Sequence, residues 1–225
     1  MDSARARILS RIRRSAATGD EAGRVSAVEE RLQHPQPNLV PERGQGDEAH
    51  RIATFVQMME AVGGTVEILA DINDVPAAVA GYLRNTNRPA QIRRGKDERL
   101  ANLPWHRAQT LEVKEGRAED ADTASLTHAF AGVAESGTIV QLSGPDNPTT
   151  LNFLPEAHVV LLDVKDLHAS YEEAWVRLRA IYGPGQMPRT VNMISGPSRT
   201  ADIEQTIVRP AHGPKNMHVI IIRPS

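Results

Sequence analysis

Apolar positions along this chain alternate between two periods. Ile52, Phe55, Val56 and Met59 recur at i, i+3, i+4 and i+7, one face of a helix that Gly63-Gly64 stops. Thr65–Leu69 then has the character of a buried strand. Asn73 is placed to cap the next helix, with Pro76 in its first turn and its end near Arg84, and residues 89–93 read as a weaker strand. Residues 96–122 break the pattern: 100–105 and 110–113 fit short strands or turns, and Trp105-His106 fits core or surface. The alternation then resumes. Residues 124–127 are apolar, 129–134 are rich in small side chains, and Thr138–Leu142 and 159–163 read as strands. Residues 170–182 predict a helix with Ser170 as cap, Glu173 at the capping-box position and Trp175, Leu178 and Ile181 as its stripe. A long apolar strand, 217–222, closes the series. Strands alternating with helices in this way predict an α/β domain with a mostly parallel open sheet flanked by helices.

Ahead of that domain the pattern is different. Residues 1–18 place Ile8, Leu9 and Ile12 at helical spacing among Arg5, Arg7, Arg11, Arg13 and Arg14, a basic amphipathic helix. A membrane surface, a transit peptide, a partner subunit and a solvated, locally packed helix all fit it. Three large apolar residues grip a bilayer weakly, which favours a mobile arm or subunit contact. Glu21–Gln33 is a second helix, and residues 35–46 hold too much Pro and Gly for regular structure. The division is an N-terminal helical arm and linker, 1–46, followed by an α/β domain, 47–225.

Composition narrows the functions. Net charge is −2 and aromatic residues make up 4%, so neither a polyanion-binding surface nor a base-stacking platform is expected. No apolar run approaches the length of a transmembrane span. With no signal peptide, the cytoplasm is the expected location. Cysteine is absent, which excludes disulfides, a thiolate nucleophile and an ordinary cysteine-ligated zinc or iron–sulfur site. The eight histidines form no His-x-x-x-His pair, and no metal site is expected.

Three polar loops are candidates for chemistry. The first is Glu135, Ser136, Gly137 and Thr138; the second is Ser195, Gly196, Ser198, Arg199 and Thr200; the third is His212, Gly213 and Lys215. The second follows a β-like run and has the punctuation of a tight turn entering a helix, where backbone N–H groups and a guanidinium suit an anion. It fits equally a capped junction with Arg199 paired to Asp202 or Glu204. Ligands of open α/β sheets bind where such loops gather, at the carboxyl ends of strands, and these three would suit a small carboxylate or phosphate. Glu135 is the candidate nucleophile or general base, with His128 as a possible partner; its bland reading is a cap or ion pair. Ser136 and Ser195 lack a Gly-x-Ser-x-Gly frame, and both glycine-rich nucleotide fingerprints are missing.

Four elements in order carry a resemblance: Ala134-Glu135-Ser136-Gly137-Thr138-Ile139-Val140, Leu154-Pro155-Glu156-Ala157-His158, Ser195-Gly196-Pro197-Ser198-Arg199-Thr200-Ala201-Asp202-Ile203-Glu204 and His212-Gly213-Pro214-Lys215. From about residue 50 to the end the chain resembles the LUD-domain proteins, and among them the lactate utilization protein C group. The resemblance implies a fold like the NagB/RpiA/CoA-transferase superfamily. It implies a cluster-free subunit or accessory protein, with no cofactor of its own, beside iron–sulfur partner proteins that oxidise L-lactate to pyruvate. The missing cysteines fit that subunit and not the related one that fuses a LUD domain to clusters. Two departures stand out: Arg209-Pro210-Ala211 replaces an apolar-Gly pair, and residues 145–150 replace a stretch that usually contains Arg. Glu135-Ser136-Gly137 is also similar to the nucleophile motif of CoA-transferases. The alternative is therefore a stand-alone enzyme acting on an activated carboxylate or phosphorylated metabolite; a scaffold without a small ligand is a third.

Overall fold

The structure, a computed structural model, describes residues 4–16, 20–201, 207–208 and 212–224. Two helices lead, α1 (Ala4–Ala16) and α2 (Glu21–Gln33), the second capped by Asp20, which accepts from the N–H groups of Ala22 and Gly23. Their apolar stripes face outward: Ile8, Ile12, Val25, Val28 and Leu32 are each more than half exposed. The linker is anchored at its end by a 3-10 turn (Glu42–Gly44). Gly44 is buried where a Cβ would meet the Ala169 carbonyl oxygen and the side chain of Glu135.

Helix α3 (Glu48–Ala61), capped by Asp47, opens the α/β region. The strands that follow are β1 (Thr65–Leu69), β2 (Gln91–Arg94), β3 (Glu112–Glu115), β4 (Ala124–His128), β5 (Ala131–Val133), β6 (Thr138–Leu142), β7 (Ala157–Asp163), β8 (Leu167–His168), β9 (Val191–Ile194), β10 (Thr200–Ala201), β11 (Ile207–Val208) and β12 (Asn216–Ile222). The remaining helices are α4 (Val75–Asn85), α5 (Glu98–Ala101), α6 (Thr150–Phe153) and α7 (Tyr171–Tyr182). Six strands form an all-parallel sheet in the order β1-β12-β7-β4-β2-β3. A smaller sheet, β8-β5-β6-β9, pairs β5 with β8 in parallel and β6 antiparallel to both β5 and β9.

The central strands β7 and β12 are covered on both faces, which is why they read as unbroken apolar runs. Val159, Leu161, Ile220 and Ile222 share a cluster with Val75, Val79 and Leu83 of α4. Val160, Leu162, Val219 and Ile221 share another with Ile52, Phe55 and Met59 of α3, together with Ala134 and Ile139 beside the smaller sheet. The mostly parallel, helix-flanked α/β fold is thus the one expected.

Some elements differ from expectation. Strand β1 pairs only with β12, so it is an edge strand; Ile68 is 48% exposed. Asn73 sits in a 3-10 turn (Ile72–Asp74) capped by Asp71, and α4 starts after it. In α7 the inward residues are Ala174 and Leu178, while Ile181 is exposed. The Ser170 side chain makes no cap bond; Glu135 accepts from the Tyr171 N–H at 3.0 Å and Glu173 from the Ala169 N–H at 3.0 Å. The ambiguous stretch holds α5, a 3-10 turn (Trp105–Arg107) and β3, with the Trp105 indole N–H donating to the Leu100 carbonyl at 2.9 Å. Beyond Ser198 there is a strand where a helix is expected: β10 pairs antiparallel with β11, Thr200 opposite Val208 and Ala201 opposite Ile207. Asp202 and Glu204, the possible partners of Arg199, lie outside the described residues.

Candidate functional site

The first two polar loops lie along α3, and the third reaches them through Ser198. Thr138 Oγ1 lies 2.7 Å from Ser136 Oγ, 2.7 Å from the Tyr171 hydroxyl and 2.6 Å from Ser195 Oγ, so the first two loops share one hydroxyl network. Gly137 backs onto Met58 and Met59 of α3, and Gly196 onto Val62 just past its end. Glu135 is 3% exposed; one carboxylate oxygen caps α7, and the other is buried without a hydrogen-bond partner among the described residues. Its environment is that of a cap under the Glu42–Gly44 turn, and His128 faces elsewhere.

The third loop joins the second through Ser198. Ser198 Oγ accepts from the His212 N–H at 2.9 Å, and the Ser198 N–H donates to the Pro214 carbonyl at 2.9 Å. Gly213 packs beside the Ser198 side chain. This loop precedes β12 and so lies at the amino edge of the large sheet, opposite the edge where α/β proteins gather ligands. Lys215 Nζ is 2.7 Å from Glu156 Oε1, and that bond holds the Glu156 carboxyl below its ordinary value. The pair is half-exposed and contributes little to stability. Arg199 is half-buried, with its Nε lacking a partner among the described residues; Thr200 begins β10.

At the opposite, carboxyl edge the structure holds a crevice of about 580 Å³. Its polar lining comes from separate elements: Asp97 and Arg99 after β2, His128 at the end of β4, Gln141 on β6, Asn147 in the next loop and Arg177 on α7. That loop seals one side, since a Cβ on Gly95 would fall 1.9 Å from the Asp146 carbonyl oxygen. His128 is 5% exposed; its Nδ1 is 2.9 Å from the Ala129 carbonyl oxygen and its Nε2 3.3 Å from Asp163 Oδ2, at the end of β7. The hydrogen bond from His128 holds the Asp163 carboxyl below its ordinary value against burial, helped by Lys165 and Arg99. Arg99 grips Asp97 through Nε at 2.9 Å and Nη2 at 2.5 Å. Burial pushes the Asp97 carboxyl up, yet that guanidinium outweighs it and holds it below the ordinary value. Gln141 is fully buried, donating to Thr127 Oγ1 at 2.8 Å and accepting from Asn147 Nδ2 at 3.0 Å. Arg177 pairs with Asp166 at 2.9 Å, donates to the Phe130 carbonyl and lies 4.6 Å over the Phe130 ring.

Of these residues only His128 was a sequence candidate, and for a different partner. The available signal was a polar residue ending an apolar strand, read with the rule that such ends form ligand sites. Among the described residues no group of three or more His, Asp or Glu is placed to hold a metal ion, and no helix is long and apolar enough to cross a membrane.

A parallel sheet with a polar crevice at the carboxyl ends of its central strands defines an open-sheet α/β protein. Residues 52–222 match the family model described as the LUD domain, and the chain belongs to that family. It is 37% identical over 101 residues to an uncharacterized protein of Neisseria meningitidis serogroup B, covering 45% of this chain and 42% of that one. Lactate utilization protein C of Shouchella clausii is 33% identical over 106 residues, covering 47% of this chain and 46% of the relative. The protein of the same name from an Exiguobacterium strain is 30% identical over 142 residues, covering 59% and 61%. The chain thus spans about half the length of the curated relatives it matches. A crystal structure of a DUF162 family protein from Deinococcus radiodurans shares the fold, with a TM-score of 0.60 and 19% identity over 80% of this chain and 100% of that one.

Proposed function

We propose that this chain is a cluster-free subunit or accessory protein of an iron–sulfur L-lactate oxidation system, acting with partner subunits that convert L-lactate to pyruvate. The observation that carries the reading is the LUD domain across residues 52–222, joined to 30–33% identity with lactate utilization protein C chains. Its chemistry is consistent. Taking L-lactate to pyruvate removes two electrons and two protons, and a chain without cysteine has no ordinary ligands for a cluster to accept them. Electron transfer therefore falls to the partners, leaving ligand binding or assembly to this chain. The second reading, an enzyme with Glu135 as nucleophile or base, draws less support because that carboxylate is 3% exposed and caps α7.

Deleting the gene should abolish growth on L-lactate as sole carbon source, leave growth on glucose intact, and be reversed by restoring the gene. Unimpaired growth of the deletion strain on L-lactate would sink the proposal.

A further inference from the structure

The crevice at the carboxyl edge has bonding capacity that the fold does not use. Arg99 spends Nε and Nη2 on Asp97, and Nη1 makes no hydrogen bond among the described residues. Arg177 spends Nη1 on Asp166 and Phe130, and its Nε and Nη2 make none among those residues. Asn147, also in the lining, donates both its bonds through Nδ2, leaving its own Oδ1 as an acceptor. Planar guanidinium N–H pairs match a carboxylate, and the spare oxygen matches a hydroxyl donor. Asp97, Glu98 and Asp146 share the same lining, so a phosphate dianion meets about twice the like-charge repulsion of a carboxylate monoanion there. The lining therefore favours a ligand carrying one carboxylate and at least one hydroxyl.

Resting on the lactate-system reading above, we infer that this crevice binds a 2-hydroxy carboxylate, with its carboxylate on the unused N–H groups of Arg99 and Arg177 and its hydroxyl donating to Asn147 Oδ1, in the crevice that His128 also lines. At about 580 Å³ the space exceeds the needs of a three-carbon acid, so longer hydroxy acids also fit. Strand order explains part of the convergence: β4 and β2 are neighbours, which brings His128 and the Asp97-Arg99 loop to one edge.

The test is titration calorimetry on the full chain with L-lactate, D-gluconate, propionate and inorganic phosphate. A parallel NMR titration follows the His128 ring resonances. L-lactate or D-gluconate should bind saturably and shift His128, while propionate and phosphate bind roughly tenfold or more weakly, as loss of a charge-assisted hydrogen bond implies. Arg99→Gln and Arg177→Gln should each weaken binding roughly ten- to hundredfold, and Arg84→Gln, on the exposed side of α4, should leave it unchanged. Two arginine variants are used because Arg177 also pairs with Asp166 and its loss bears on folding; melting curves check both, and the His128 shift needs no variant. Absence of saturable binding by either hydroxy acid, or binding that a folded arginine variant does not weaken, overturns the inference. Gluconate binding without L-lactate binding supports the crevice and counts against lactate as its ligand. Lost growth on lactate with an empty crevice overturns the crevice assignment alone.

Discussion

Alanine at Gly137 should destabilise the fold by about 3 kcal/mol or more, read as a lowered urea midpoint at unchanged slope. Gly137 has φ of 63°, and a Cβ there would lie 2.6 Å from the Met59 backbone nitrogen and 2.9 Å from the Met58 carbonyl carbon. The left-handed backbone alone costs an L-residue about 1–2 kcal/mol. The remainder comes from pushing back α3, whose Phe55 and Met59 are fully buried in the core. Gly144 has open space around its Cα and no positive φ, so Gly144→Ala should fall within about 0.5 kcal/mol of the parent. An unchanged midpoint for Gly137→Ala would mean that α3 does not seat on this loop. The glycine of the Glu-Ser-Gly-Thr motif therefore has a packing role before any chemical one.

Stability should also fall as pH drops from about 6.5 to about 5, the window below the ordinary histidine value and above the ordinary carboxylates. His158 is buried between strands, with Nε2 2.8 Å from Thr127 Oγ1 and Nδ1 without a partner among the described residues, and burial pulls its pKa down to about 3. His218 stacks on Tyr82 at 4.4 Å between ring centroids, and burial pulls its pKa down to about 4. The unfolded chain takes up these protons near 6.5, while the folded chain resists until pH 3–4. Between those limits the unfolded state binds more protons, so acidification favours it. At about 1.4 kcal/mol per pH unit per group, the two histidines together withdraw up to about 4 kcal/mol over that window. Asp97 and Asp163, held below the ordinary 3.8, keep their contributions above that value and lose them only as pH falls further. Urea titrations across the window check this, and His158→Gln should roughly halve the slope. A flat profile would mean that both imidazoles find charge-stabilising partners in the folded chain.

How much of this was legible in the sequence depended on what each residue's burial required. Strands β7 and β12 were legible because two-sided burial demands continuous apolar runs. Thr-Val-Glu-Ile-Leu gives no sign that β1 ends the sheet, because edge position is a matter of strand order. Residues 96–122 were illegible because their elements are short and their burial is decided by distant partners. Ser136, Thr138 and Ser195 of the hydroxyl network stand in two short motifs, whereas Tyr171, which joins them, lies in neither. The crevice was not legible, since residues 97, 99, 128, 141, 147 and 177 come from the segment after β2, from β4, β6 and the loop after it, and from α7, and meet only in the folded chain. The expected helix after Ser198 failed locally, where β10 and β11 pair antiparallel.

The most direct test of the lactate-system account is to recover the tagged full chain from lactate-grown cells and assay the recovered fraction for iron, acid-labile sulfide and L-lactate-dependent dye reduction. The account predicts all three together, with pyruvate formed in step with the reduced dye and no iron on the chain purified alone. Recovery of the chain without iron, alongside undiminished lactate-dependent dye reduction in extracts of the deletion strain, would contradict it.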